Sequence, residues 1–297
     1  MAVGFLAACG GGPADVADRR TDGRIVFARD VPSEGASATF TISPDGSDLR
    51  RLFSRGSELP HWSPDGKEVA IFCCDDGMAA HFVNLDTGKF RELAPADDAL
   101  ETHCGFGWSP DGKRLLCESF GLSDAKRNGI YSIRASDGGG LTRITSNPGG
   151  DDIPGGYSPD GTGITFVRSD ETGPIGIFVI NLNGTHLQRL TPRSMTVDEA
   201  FGGRWSPDGR KILFVAKTSP NDNRAIWLVH PDGRGLHKLP CDGAACFYPD
   251  WSNDGTRIAF TQVAAGTMQE NVYIANADGS HVIQVTDRGG GEPDWGR

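Results

Sequence analysis

The sequence predicts an all-β fold: a six-bladed β-propeller closed by pairing of the C-terminal strand with the N-terminal blade. Three observations carry this. One phrase recurs as HWSPDGKEVAIF from His61, GWSPDGKRLLCE from Gly107, GYSPDGTGITFV from Gly156, RWSPDGRKILFV from Arg204 and DWSNDGTRIAFT from Asp250. Its aromatic anchors Trp62, Trp108, Tyr157, Trp205, Trp251 and Trp295 stand 46, 49, 48, 46 and 44 residues apart, a period characteristic of propeller blades. A further copy is divided between the chain ends: residues 292–297 (EPDWGR) supply its front half, and Thr21-Asp22-Gly23-Arg24-Ile25-Val26-Phe27 its back half.

Each unit reads as four strands, A to D from the axis outward. Strand A ends at the aromatic, and Ser-Pro-Asp-Gly then makes a tight turn: proline pre-sets φ, aspartate bonds nearby amides, and glycine takes the left-handed corner. Strand B follows as an apolar run, such as Ile25-Val26-Phe27, Ile164-Thr165-Phe166, Ile212-Leu213-Phe214 and Ile258-Ala259-Phe260. Such runs suit strands buried on both faces. Strands C and D meet at a second hairpin, marked by Asp45-Gly46, Thr87-Gly88, Asp137-Gly138, Asn183-Gly184, Asp232-Gly233 and Asp278-Gly279. Strand D alternates, as in Leu187-Gln188-Arg189-Leu190-Thr191, which suits a half-exposed outer strand. The divided copy makes blade 1 a composite, with strand A from residues 292–297 and strands B to D from residues 24–53. Main-chain bonds between the two ends then close the ring and remove an open edge.

A length of 297 residues alone suggests two domains, but the repeat makes residues 21–297 one ring. The hairpin turns account for the 41 glycines and 18 prolines. A net charge of −10 without a Lys/Arg-rich run argues against nucleic-acid binding. Residues 1–20 read as a truncated lipoprotein-type signal and linker, because Leu6-Ala7-Ala8-Cys9 resembles a lipobox, with Cys9 as the lipidated residue. The apolar stretch is too short to span a bilayer and lacks a basic leader, so an ordinary cysteine is the competing reading. The other six cysteines, an even number, fit an oxidising compartment. The register set by the Ser109–Gly112 turn places Cys104 opposite Cys117, and Cys241 with Cys246 would close a small loop. Cys73 and Cys74 are adjacent, and no zinc-like CxxC pair occurs.

Chain direction puts every A–B and C–D turn on one face, and every B–C and D–A connection on the other. The first face is nearly uniform, whereas the second differs in each blade and is expected to carry specificity. Its D–A segments lead toward the axis with Asp97, Asp98, Glu101 and His103, then Asp151 and Asp152, then Asp198 and Glu199, then Asp242. Of these, Glu101, His103, Asp151, Asp152, Asp198 and Glu199 are the candidate binding residues at the channel mouth. Carboxylates converging on an axis suit Ca²⁺ or a basic peptide. A solvated acidic rim with Arg193 and Arg288 as counter-charges competes, since no compact calcium-loop spacing is present. The turn aspartates need no metal, and no cofactor is otherwise implied. Catalytic motifs are absent: GxSxG, HExxH, P-loop and dinucleotide fingerprints are all missing. His61, just before an anchor tryptophan, is expected to be packed or hydrogen-bonded, leaving His103 at the mouth.

The repeated Trp-Ser-Pro-Asp-Gly-x-x-Ile-x-Phe, with Glu292-Pro293-Asp294-Trp295 at the close, resembles the PD40 (WD40-like) repeat of TolB-type propellers across residues 21–297. Asn253 and Tyr157 depart from its proline and tryptophan. The resemblance implies a cell-envelope protein and a protein partner. The ring begins by Arg24, so a propeller without the α/β domain that precedes it in TolB-type proteins is expected, as is one without the hydrolase domain of prolyl-oligopeptidase-like enzymes. The expected function is a monomeric, non-catalytic, envelope-anchored module. Its variable face would bind a protein, peptide or glycan, with membrane contact only through Cys9. Secreted or periplasmic location follows if it is unanchored. The alternative is a propeller enzyme, such as a metal-assisted polysaccharide lyase working at the channel mouth through His103.

Overall fold

The computed structural model describes residues 23–296, apart from 54–56, 74–79, 94–96, 98, 171–172, 199–201, 220 and 244. The described strands form six antiparallel sheets around one axis. Blade 1 is Gly291–Trp295, Ile25–Val31, Ala36–Ile42 and Arg50–Phe53 from the axis outward. Blade 2 runs Ser57–Trp62, Glu68–Cys73, Ala80–Asn84, Phe90–Glu92, and blade 3 runs Leu100–Trp108, Arg114–Gly121, Gly129–Arg134, Thr142–Arg143. Blade 4 comprises Asp152–Tyr157, Gly163–Asp170, Gly173–Asn181 and Gln188–Arg189. Blade 5 has a broken inner strand, Thr196–Val197 and Arg204–Trp205, then Ile212–Lys217, Ala225–Val229 and His237–Lys238. Blade 6 is Ala245–Trp251, Arg257–Val263, Glu270–Asn276 and Ile283–Gln284.

The turn phrase folds alike in its five undivided copies. Ser63, Ser109, Ser158, Ser206 and Ser252 each donate a hydroxyl hydrogen bond of 2.5–2.7 Å to the aspartate two residues on. The same hydroxyl accepts the amide five residues on, at 2.9–3.0 Å. These bonds occupy the aspartates and hold Asp111, Asp160 and Asp208 below the usual carboxylate range, with Asp254 drawn down to about 2, first by the serine hydroxyl and then by a backbone amide. Proline and glycine also interlock the ring. Gly112, Gly161, Gly209 and Gly255 lie in the left-handed region against Pro64, Pro110, Pro159 and Pro207 of the preceding turn.

Strand B supplies the core. Phe27, Phe166, Phe214 and Phe260 are fully buried, each burial worth roughly 1.5–3 kcal/mol. Ile71 and Cys117 take this place in blades 2 and 3. Cys117 is disulfide-bonded to its ladder partner Cys104, with Cα atoms 4.1 Å apart.

The ends meet inside blade 1. Ile25 pairs with Trp295, Val26 with Asp294 and Ala28 with Gly291, and the Gly296 amide donates to the Arg24 carbonyl at 2.7 Å. This terminal strand is also pinned sideways. On the blade 6 side, the Trp295 amide donates to Asp250 Oδ2 (2.7 Å), the Glu292 amide to Thr261 Oγ1 (3.0 Å), and Asn253 Nδ2 to the Gly296 carbonyl (2.6 Å). On the blade 2 side, Glu292 Oε2 accepts the Leu59 amide at 2.6 Å. The described ends, Gly23 and Gly296, therefore lie together on the uniform-turn face.

Candidate functional site

The inner strands bend where they line the channel. Three residues before the anchor aromatic, the backbone turns left-handed at Leu59 (φ 46°), Gly105 (φ 116°), Tyr248 (φ 55°) and Glu292 (φ 56°). The A–B ladder shifts register in these blades. Bulges of this kind re-aim side chains, and a non-glycine residue held there costs about 1–2 kcal/mol. The residues before the anchors, His61, Gly107, Gly156, Arg204, Asp250 and Asp294, line a cavity of about 180 Å³ toward the turn face. Leu59, Tyr248 and Glu292 line a smaller one of about 30 Å³ toward the variable face, with Pro154, Pro249 and Pro293. His61 and Arg204 border both and separate them.

This partition is a polar network. Arg204 Nη1 donates to the Gly155 carbonyl (2.5 Å) and Nη2 reaches His61 Nε2 (3.1 Å), while His61 Nδ1 lies 3.1 Å from Asp294 Oδ2. A guanidinium can only donate and a carboxylate only accept, so the neutral ring carries its proton on Nδ1. Burial, then the Arg204 charge, holds His61 below its ordinary value against the pull of Asp294. Burial, then Asp294, pushes Asp250 up to about 7. Burial likewise lifts Glu292 to about 7, against the Leu59 amide, and raises the Tyr248 hydroxyl beside it.

The acids expected at the mouth divide into two groups. In blades 3 and 4, His103 Nε2 lies 3.2 Å from Glu101 Oε1, and Nδ1 lies 4.0 Å from Glu118 Oε2. Glu118 is pushed up to about 8, first by burial and then by Asp151 and Asp152. Asp151 is exposed, whereas the Asp152 side chain is fully buried. Arg168 grips Asp152 through two bonds of 2.6 Å, and Asn147 Nδ2 adds a third at 3.1 Å. Asp198 stands apart in blade 5, paired with Arg224 Nε at 2.5 Å. Glu199, Asp98 and Cys9 lie outside the described residues.

One expectation changes. Among the described residues, the cations paired with these acids are Arg168, Arg224 and Arg127 (2.6 Å from Asp97), not Arg193 and Arg288. Arg168 is the direct cross-strand partner of Asp152, which places the charges together before any loop is considered. Among the described residues, no group of three or more His, Cys, Asp or Glu is disposed to hold a metal ion. A second disulfide joins Cys241 to Cys246 beside the mouth.

Sequence reading passed over Arg204, Asp250, Asp294 and Glu292, and also Glu118. For the first three a signal existed: the position before the anchor reads His, Gly, Gly, Arg, Asp, Asp around the ring. Charges of both signs at a repeated, axis-facing position mark a channel network. His61 itself is buried and hydrogen-bonded.

A family model described as the TolB beta propeller domain matches residues 22–219. An uncharacterised protein of Agrobacterium fabrum is 32% identical over 67% of this chain and 68% of its own length. The Tol-Pal system protein TolB of Francisella tularensis is 30% identical over 77% of this chain, which spans about half (51%) of that relative. The crystal structure of TolB from Acinetobacter baumannii superposes with a TM-score of 0.74 at 23% identity, covering 92% of this chain and 66% of the other. The chain belongs to the TolB beta-propeller (PD40) family.

Proposed function

We propose that this chain is a non-catalytic binding module of the cell envelope that captures a protein, peptide or glycan on its variable face. One observation carries the reading: the two faces are built on different plans. The turn face repeats a single hydrogen-bonded turn, whereas the variable face surrounds a channel entrance lined by the left-handed residues Leu59, Tyr248 and Glu292. Backbone held in a disfavoured region collects at functional positions. The exposed acids Glu101 and Asp151 give that face negative charge, while Asp198 is paired with Arg224, and this charge favours a basic partner segment. The kinship with Tol-Pal system TolB supports an envelope setting. A lipid anchor at Cys9 would leave the variable face pointing away from the membrane, because Gly23 lies on the turn face. Mass spectrometry of the membrane fraction tests the anchor; a soluble chain with unmodified Cys9 overturns it.

Affinity capture from envelope extract tests the binding face. A Glu101→Lys/Asp151→Lys variant should lose a component that a Lys67→Glu/Lys113→Glu variant on the turn face retains. Equal capture by both variants overturns the assignment. The enzyme reading draws support from one feature, the raised Glu118 carboxyl near His103. Polysaccharide cleavage abolished by His103→Ala, with stability unchanged, would favour it over the binding reading.

A further inference from the structure

The terminal strand that closes the ring carries two acids into the channel, Glu292 and Asp294, where Asp250 of blade 6 already lies. Each is faced from the neighbouring blades. Asp294 meets His61 of blade 2 and Asp250. Glu292 meets Tyr248 and Glu270 of blade 6 and Glu58 of blade 2. Among the described residues, the guanidinium in this network is Arg204 of blade 5, which donates to His61 and the Gly155 carbonyl. Full ionisation would set Asp250 against Asp294 in the larger cavity, where Arg204 is the neighbouring cation. Across the partition it would set Glu292 against Glu58 and Glu270, in a space walled by Pro154, Pro249 and Pro293 with Arg29 and Arg288 lining the adjoining groove. Buried like charges of this kind retain protons.

We propose that the seam is a proton-controlled latch: Asp250 and Glu292 carry protons while the terminal strand is docked and lose them when it lifts away, so acid tightens the ring and neutral pH loosens it. The inference is independent of what the variable face binds.

The direction follows from linkage. A lifted strand exposes carboxyls that titrate near 3.9 and 4.3, whereas the docked groups titrate at about 7. Their contribution to docking is complete below about pH 4, declines as pH rises, and is gone above about 7. His61 opposes it. Burial and Arg204 depress its value, so its contribution weakens docking as pH falls below about 6.5. Two carboxyls against one imidazole leave acid as the tightening direction.

Hydrogen exchange of the full chain between pH 5 and 7.5 provides the test. The strand Gly163–Asp170 of blade 4 serves as an internal reference for base-catalysed exchange. Relative to it, the opening constant of Gly291–Trp295 should rise by about tenfold or more per unit from about pH 5 to 6.5, two carboxyls outweighing one imidazole, and level off above about 7. An Asp250→Asn/Glu292→Gln variant keeps the acceptors for the Trp295 and Leu59 amides and should lose that rise. A pH-independent wild-type latch, or an equal rise in the variant, overturns the proposal. Should the variant not fold, carbon NMR titration of the unaltered chain decides. An Asp250 or Glu292 carboxyl titrating below about 5 also overturns it.

Discussion

The junction between blades 4 and 5 and the seam between blades 6 and 1 solve the same packing problem by opposite means. At the first, the chain is continuous and the inner strands touch through glycine: a Cβ on Gly155 would fall 2.1 Å from the Gly202 carbonyl oxygen, and one on Gly202 as close to the Gly155 nitrogen. Thr165 Oγ1 adds a bond to the Gly203 carbonyl at 2.8 Å. At the seam, no peptide bond joins strand A of blade 1 to its own blade, and side chains hold it. Asp250, Asn253 and Thr261 bond it from blade 6, and Glu292 reaches across to the Leu59 amide of blade 2. Connected strands can rely on close backbone approach, because connection limits how far they part. The terminal strand follows directly from blade 6, but to its own blade it is joined only by non-covalent contacts, and such a strand needs directional bonds from both sides.

Removing residues 291–297 should produce the largest effect. It strips Trp295 from the core and exposes the edge of Ile25–Ala28, and loss of a buried tryptophan alone costs about 3–5 kcal/mol. Urea unfolding should show a collapse of the midpoint, or a chain that no longer folds. An unchanged midpoint would mean that the ring closes without its latch.

Arg168→Ala comes next, and it tests blade 4 rather than the seam. It abandons the fully buried Asp152 carboxylate, to which, among the described residues, the Asn147 side chain still donates, and breaking a buried pair from one side costs about 3–5 kcal/mol. The loss should shrink when Asp152→Asn is added, since the uncompensated charge is then gone. A double-mutant cycle with no coupling would show that the pair stabilises nothing beyond its separate members.

Gly202→Ala should cost about 1–3 kcal/mol, because the methyl group would enter the Gly155 backbone, which cannot move aside as a side chain could. Thermal melting measures it. The same change at Gly149, where a Cβ would meet nothing within 4 Å, should be nearly silent. A similar loss at both sites would remove close backbone approach as the device that joins blades 4 and 5.

These contrasts show what the sequence made legible. Blade number, turn positions, the core stripe and the composite blade follow from local rules, because Ser-Pro-Asp-Gly satisfies its own hydrogen bonds within six residues. A plain four-residue turn over Ser109–Gly112 would pair Trp108 with Lys113 and so set Cys104 opposite Cys117; the ladder instead pairs Trp108 with Leu115, and a bulge between Cys104 and Trp108 brings the two cysteines opposite each other. The channel network needed more. Nothing in Leu59, Tyr248 or Glu292 as residue types announces a left-handed backbone; it comes with the bulge in the inner-strand ladder, which sets the aim of the adjoining side chains. Arg168 was likewise out of reach of a reading that sought counter-charges in the connecting segments, since its partner lies across a ladder.

The smallest expected effect separates turn chemistry from seam chemistry. Asn253 occupies the position that is proline in the other four undivided turns, and it is the copy next to the seam. Asn253→Pro restores the repeat and should gain about 0.4–1 kcal/mol by restricting the unfolded chain. It also removes the 2.6 Å bond to the Gly296 carbonyl, worth about 0.5–1.5 kcal/mol. The two terms nearly cancel, so the melting temperature should move little. Exchange at Gly291–Trp295 should nevertheless accelerate severalfold, because the gain is spread over the whole chain while the loss falls on the latch. An unaltered latch would mean that Asn253 is merely a tolerated departure from the repeat. A loosened latch in a protein of unchanged stability would identify it as the residue that adapts a ring turn to a seam.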